Sequence, residues 1–423
     1  MNYLAVALAL VVSGPVWAET FDVAPGPDAE AALQEALILA QAGDEVVLAA
    51  GRYDIAGQLS LDGEEVTLRG AGMEASVLSF KGQTGGAEGL IVTGNGAILK
   101  DFAVEDTKGD AIKAKGVDGF AAIRVRAEWT GGPKADNGSY GIYRVQSTNV
   151  LLDGVVVKGA SDAGIYVGQS QKIIVRNSRG EFNVAGLEIE NCYFADVTAN
   201  TLTNNTGGIL IFDLPDLPQQ GGHDIRVFGN KSVANNTDNF APEGNIVGLV
   251  PGGTGMLIMA NADVEVFDND FADNRTANMI IASYVKDTTD PNYNISPRRI
   301  HIHDNRFGIS GADPSAGEFG ALLREIFGVP VPDIVWDGVM PIWRWFTVGM
   351  AAGDAFSIHD NTHASTEPYG NADFVGYFGF TWFHSVGRDL SEHGATLAPL
   401  TPVQVLIRGR DVSHPSAWAE MAK

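Results

Sequence analysis

Two glutamates separated by one residue, Glu188 and Glu190, are the first candidates for chemistry. Side chains alternate across a strand and each residue advances about 3.3 Å, so on a strand both carboxyls share a face about 6.5–7 Å apart. That separation suits an inverting acid and base pair acting on a glycosidic bond. A solvated pair on an exposed, alternating strand is the competing reading. Tyr143 and Tyr166 form a second set. Either hydroxyl could serve as the base of a uronate elimination or epimerisation, with Lys113, Lys115 or Arg144 neutralising the uronate. The same rings could instead pack on each other, or stack on sugar faces. A third set is His301-Ile302-His303, with two imidazoles on one strand face. His303-Asp304-Asn305 and His359-Asp360-Asn361 read as equivalent positions of a repeat, followed by His363. Stacked imidazoles at His303 and His359 could hold Zn or Cu, or could be a repeat-encoded surface ladder. Asp213, Asp216 and Asp224 supply oxygen ligands of the kind Ca²⁺ takes. No phosphate-binding loop is present among the Gly-rich stretches.

The elements that position these residues repeat. Six segments share a small–apolar–x–apolar frame and begin at Gly141, Gly164, Gly186, Gly208, Gly255 and Asn278. Their intervals are 23, 22, 22, 47 and 23 residues, and the 47 fits two rungs or one rung with long loops. Gly89 and Ala111 begin earlier members, 22 apart. An apolar–x–x–Asn ladder accompanies the frame at Asn177, Asn200, Asn230, Asn269, Asn305 and Asn361. Asn tolerates the left-handed conformation of a tight bend, and stacked amides can bond one another. Short period-2 strands with Gly and Asn corners every 22–23 residues describe one coil of a right-handed parallel β-helix. A leucine-rich repeat would need a Leu consensus and a helix per repeat.

Length and composition agree with this. The chain has 423 residues, 45% of them hydrophobic and 19% charged, which is globular rather than disordered. A net charge of −24 argues against nucleic-acid binding. The single cysteine, Cys192, permits no internal disulfide and reads as a buried small hydrophobe. Residues 4–12 read LAVALALVV, and small residues stand at −1 and −3 of a cut after Ala18. This predicts export and removal of residues 1–18. No other stretch is apolar and long enough for a membrane span. A helix over 29–41, with Asp28 as N-cap and Gly43 as stop, is placed to cap the first coil, which would hold Val46-Val47-Leu48 and Gly51-Arg52-Tyr53.

Alternation separates the faces. Ile142, Ile165, Leu187, Ile209, Met256 and Met279 form one inward column. Arg144, Val167, Ile189, Ile211, Ile258 and Ile281 form the second. A guanidinium does not belong unpaired in an apolar stack, so Arg144 is expected at a corner or in a distorted strand. The outward columns begin with Lys113, Lys115, Tyr143, Tyr166, Glu188 and Glu190 and become apolar at Leu210, Phe212, Leu257, Met259 and Ile280. An apolar ladder of that size needs a cover. The segment from about Gly308 to Val348, with Phe319, Leu322, Leu323, Ile326, Phe327, Trp336, Trp343 and Trp345, is predicted to fold over the late coils. The early coils are then a groove, with Lys113, Lys115, Tyr140, Tyr143, Asp162, Tyr166 and Gln169 as candidate ligand contacts. The loop from Asp213 to His223 forms its lid-side wall and adds those two residues.

The runs Gly43-Asp44-Glu45-Val46, Leu68-Arg69-Gly70-Ala71-Gly72-Met73, Glu128-Trp129-Thr130-Gly131-Gly132-Pro133, Ser161-Asp162-Ala163-Gly164-Ile165-Tyr166 and Asn204-Asn205-Thr206-Gly207-Gly208 resemble an exported bacterial family of parallel β-helix repeat proteins. The resemblance covers roughly residues 20–310 and implies the fold, export and a co-encoded exported partner; it assigns no activity. That family usually carries Pro at the position of Arg144. More remotely the fold resembles pectate lyases, polygalacturonases, mannuronan C5-epimerases and a periplasmic copper-site maturation protein. An epimerase of that kind carries Asp-Pro-His after a Tyr-Gly, whereas Ile142-Tyr143-Arg144 follows Tyr140-Gly141 here. The expected organisation is a signal peptide over 1–18, a cap over 19–45, an all-β right-handed parallel β-helix over 46–310, and a C-terminal lid with the last coils over 311–423. The expected role is binding of a carbohydrate or cell-envelope component by a periplasmic or secreted protein. The alternatives are a polysaccharide lyase or hydrolase, and a scaffold for the co-encoded partner. No cofactor beyond possible Ca²⁺ is implied.

Overall fold

The computed structural model describes residues 18–286, 288–339, 353–377 and 384–416. Residues 1–17 of the expected signal peptide over 1–18, and Trp343 and Trp345 of the expected cover, lie outside the described residues. Eleven parallel strands stack into one sheet. They are β1 (Leu59–Leu61), β2 (Leu90–Val92), β3 (Ile112–Lys115), β4 (Tyr140–Val145), β5 (Ala163–Gly168) and β6 (Ala185–Glu190). Then follow β7 (Gly207–Phe212), β8 (Thr254–Met259), β9 (Ala277–Ala282), β10 (Ile334–Trp336) and β11 (Tyr369–Asn371). The remaining coil strands form two further parallel ladders, joined where the long strands Ala97–Glu105 and Asp118–Glu128 run through both. Both inward columns stack residue over residue, as their alternation predicts. They share one continuous core along the helix axis. β7 pairs directly with β8, so the 47-residue interval is a single coil with long loops at 213–222 and 234–253.

The corners are held by asparagine. Asn200, Asn230, Asn269, Asn305 and Asn361 form one column. At each step a backbone N–H and a side-chain Nδ2 both donate to the next Oδ1 at 2.9–3.1 Å. Asn183, Asn205, Asn235 and Asn274 repeat the pattern at a second corner. Two details differ from the sequence reading. Asn177 is outside the column; it bonds Asp153, and Ser178 stands under Asn200 instead. The left-handed residue is not the ladder Asn but the one before it: Ala199, Gly229, Asp268, Asp304 and Asp360 have φ of 52–64°. The preceding residue makes the bend, which leaves the Asn amide free to point inward and satisfy buried backbone groups.

Arg144 is a further correction. It stays in the inward column, fully buried between Ala114 and Val167. Small Ala114 leaves it room, its Cζ lies 4.3 Å above the Phe120 ring, and Nη2 donates to the Val117 carbonyl at 3.2 Å. Nε and Nη1 have no partner, and burial pulls the guanidinium down to about 9 against the opposing charge of Asp118.

Helix α1 (Ala29–Leu39) buries Leu33 and Leu37 in the same core as Val46 and Leu48. Asp28 precedes it without a side-chain cap bond. A strand over Thr20–Val23, absent from the sequence reading, pairs with Glu45–Leu48. Helix α2 (Glu318–Phe327) lies on the late coils, but Trp336 does not belong to that cover. It is an inward residue of β10, packed against Phe356. The C-terminal segment also departs from the late coils. Val403, Val405, Ile407 and Val412 cover Ile98, Ala121, Ile123, Leu151 and Ile174 on the outside of the second sheet. The strap is tied by Leu400 N to Glu265, Val403 N to Asp196, Leu406 N to Asn149 and Arg408 to the Gly96 carbonyl. No helix among the described residues is long and apolar enough to cross a membrane.

Replacing Asn230 by Ala strands several buried backbone and side-chain partners at once. The expected cost is roughly 2–4 kcal/mol, read as a lowered urea midpoint. Asn177→Ala, outside the column but at a left-handed position bonded to Asp153, is expected to cost less, about 1 kcal/mol.

Candidate functional site

The outward side of the eleven-stranded sheet carries one unbroken column: Lys113, Tyr143, Tyr166, Glu188, Leu210, Leu257, Ile280 and Val335. Parallel register therefore places the aromatic pair directly beside the acidic pair. The Tyr143 and Tyr166 rings stack at 5.1 Å and 12°, and Tyr140 packs 4.7 Å from each. Lys113 Nζ lies 5.2 Å above the Tyr143 ring and is held by Glu88 at 2.8 Å and Asp110 at 3.3 Å. The Tyr166 hydroxyl donates to Glu190 Oε1 at 2.7 Å. It reaches that far because residue 168 is glycine: a Cβ there would fall 2.2 Å from the hydroxyl.

The acids are not a solvated ladder pair. Glu188 is 1% exposed, Asp162 6% and Glu190 7%. The 234–253 loop, which has no repeat frame, reaches Asp162 directly and packs on the neighbouring apolar side chains. Asn245 donates to Asp162 Oδ2 at 3.0 Å, and Val247 and Val250 join the apolar cluster of Tyr166, Ala185 and Leu210. Asn239 pins the loop by donating to the carbonyls of Val247 and Val250. Further along, Leu323 and Phe327 of α2 belong to the cluster of Ile280 and Val335, and Phe327 lies against Gly370.

Taking these carboxyls out of water favours their neutral forms, and nearby acids add to the rise. Burial, with Glu190 nearby, moves Asp162 up to about 7. Burial also moves Glu190 to about 7, against the Tyr166 hydrogen bond and with Asp213 adding to the rise. Burial followed by Asp162 and Glu190 pushes Glu188 well above the carboxylate range, and its Oε2 has no hydrogen-bond partner. Glu188 therefore keeps its proton at neutral pH, while Asp162 and Glu190 give theirs up near neutrality rather than near pH 4. Tyr140, Tyr143 and Tyr166 are all pushed up by burial, so their hydroxyls stay protonated. A tyrosinate base, one of the chemistries weighed from sequence, is disfavoured by that environment.

The other candidates are dispersed. Lys115 is exposed on the next outward column, and Gln169 pairs with Gln146 at 3.4 Å on the rim. Asp213 is buried beside Glu190, accepts from Gly222 N at 2.8 Å and is raised to about 6 by burial. His223 stacks on Tyr193 at 4.4 Å and bonds Asp224, and it is not part of the Tyr140, Tyr143 and Tyr166 cluster. The proposed Ca²⁺ ligands do not converge: Asp216 accepts from Thr289 while Asp213 and Asp224 are engaged as above. His303 and His359 are register partners whose rings stack at 5.6 Å. The candidate ligand cluster is His303 with His301, which belongs to the same sequence set, and Glu265, which does not; His359 is outside it, and burial draws His301 down to about 4. Aligning Val266…Asn269 with Ile302…Asn305 would have placed Glu265 beside His301 from the sequence alone.

Residues 84–217 match the family described as right handed beta helix region. No curated protein sequence matches the chain. The A-module of mannuronan C-5 epimerase AlgE4 from Azotobacter vinelandii is similar in structure at TM-score 0.51 and 15% identity, over 83% of this chain and 97% of that one. The AlgE6 A-module of the same organism follows at TM-score 0.47 and 15% identity, over 81% and 93%. The catalytic unit of a GH87 alpha-1,3-glucanase from Streptomyces thermodiastaticus gives 0.46 and 17%, over 78% and 52%. The chain is a right-handed parallel β-helix. At these identities the likeness is one of fold.

The raised carboxyls fix a direction for pH. Unfolded, they titrate at about 4. Their contribution to stability is complete below that value and is lost as pH rises through about 7. The melting temperature is expected to fall between about pH 4 and about pH 7, and Glu190→Gln, which cannot ionise, makes that fall shallower.

Proposed function

We propose that this is an exported protein that binds carbohydrate on the early coils, through the tyrosine cluster and the Lys113 ammonium beside it. The observation that carries the reading is the Tyr140, Tyr143 and Tyr166 cluster, partly exposed at Tyr140 and Tyr143, above carboxyls that hold protons up to near neutrality. Aromatic faces suit the apolar faces of sugar rings. Lys113 gives the platform a cationic edge for an acidic sugar, although Glu88 and Asp110 share that charge. Export is supported by the apolar run at 4–12 and the small residues ending at Ala18. The known proteins of similar fold include ones named for action on mannuronan and on alpha-1,3-glucan. A hydrolytic role is the second reading, favoured by the proton-holding Asp162 and Glu190, which are matched to acid catalysis near neutral pH.

Titration calorimetry of the mature chain against acidic and neutral polysaccharides tests this. Tyr143→Ala is expected to weaken a bound glycan about tenfold, the equivalent of about 1.4 kcal/mol. Absence of binding across the panel, with and without Ca²⁺, overturns the carbohydrate reading. Glu190→Gln separates the two roles: a binder keeps its affinity, while a hydrolase keeps affinity and loses release of reducing ends.

A further inference from the structure

A second cluster lies on the other sheet, where three lone pairs converge. Glu265 stands beside His301 in register, and Phe267 beside His303, which stands beside His359. The protons can be assigned. Nδ1 of His303 lies 2.7 Å from the Asp304 carboxylate, and Nδ1 of His359 lies 2.8 Å from that of Asp360. An ionised carboxylate only accepts, so each of these Nδ1 atoms carries hydrogen and each neutral ring leaves a lone pair on Nε2. His359 Nε2 is 3.1 Å from His301 Nε2, so His301 donates there and its own Nδ1 is bare. That Nδ1 is buried without a hydrogen-bond partner, 3.7 Å from Glu265 Oε1. His303 Nε2 is 3.3 Å from the same oxygen. An imidazolium at His303 would satisfy one of these contacts and still leave His301 Nδ1 facing the carboxylate oxygen. A metal cation satisfies both.

We propose that Glu265, His301 and His303 bind a divalent transition ion of the zinc class. Tetrahedral zinc with nitrogen and oxygen ligands at 2.0–2.2 Å sets its ligand atoms about 3.3–3.5 Å apart, close to the spacings here. The set has no thiolate, and imidazole with carboxylate suits zinc, with copper(II) as the stronger competitor. Asp304, turning back from its left-handed corner, orients His303, while His359, itself oriented by Asp360, orients His301. Glu265 Oε2 accepts from Leu400 N at 2.9 Å, so the same carboxylate ties the site to the C-terminal strap. The ion would join two consecutive coils and brace the strap.

The test is titration of the chelator-treated full chain with zinc, and separately with copper(II), by calorimetry and thermal melting. The expected result is one ion per chain and a raised melting temperature. His303→Gln, at a partly exposed position, is expected to weaken binding by about a hundredfold or more. Tyr143→Ala leaves metal binding unchanged, which separates this proposal from the carbohydrate reading. Two outcomes overturn it: no binding of either metal to the wild-type chain, which leaves a proton as occupant, or equal affinity in wild type and His303→Gln.

Discussion

Parallel register is the constraint on which the rest of this structure depends. Each coil lays its strands on those of the coil before, residue over counterpart, so a side chain's nearest neighbours are the same position one turn away. The arrangement rewards residues that bond their own kind. Asparagine does, because one amide both accepts and donates along the stack, and two such columns line the corners. Phenylalanine does as well: Phe228 stacks on Phe267 at 4.9 Å, and His303 continues that column.

The same register is unkind to like charges. Glu188 and Glu190 share an outward face, and the corner before β5 adds Asp162. In water such an array would be screened. Buried beside the 234–253 loop it is not, and the carboxyls respond by keeping protons to higher pH rather than by pairing with cations. Tyr166 takes the hydrogen-bonding position that a counter-ion would otherwise fill. Polarity changes along this one column, from Lys113 through tyrosine and glutamate to leucine, and that sequence of neighbours defines where the site begins and where the apolar cover takes over.

What was legible in the sequence follows from the same geometry. Period-2 alternation and the 22–23-residue interval suffice to assign both inward columns and both outward ones, because a coil's neighbours are fixed by arithmetic. Insertions carry no such arithmetic. The 234–253 loop has no repeat frame, so its packing on Asp162, Tyr166 and Leu210 leaves no signal in the sequence, and the acids there read as solvated. Arg144 was misplaced for a different reason. A guanidinium taken by itself does not suit an apolar column, while the room it occupies is made by Ala114 one coil below. The Asn177 slip was a shift of a single residue, which the register of Arg176 against Thr198 corrects. The strap over 403–412 strand-pairs only with itself and meets the coils through side chains, so periodicity carries no signal of it.

That strap bears on the order in which the molecule is completed. Ile98, Ile123, Leu151 and Ile174 belong to early coils, whereas Val403, Val405, Ile407 and Val412, which cover them, follow every coil in the chain. A stack of early coils by itself therefore keeps an apolar stripe open on its flank, and that stripe is closed only when the last segment of the chain is in place.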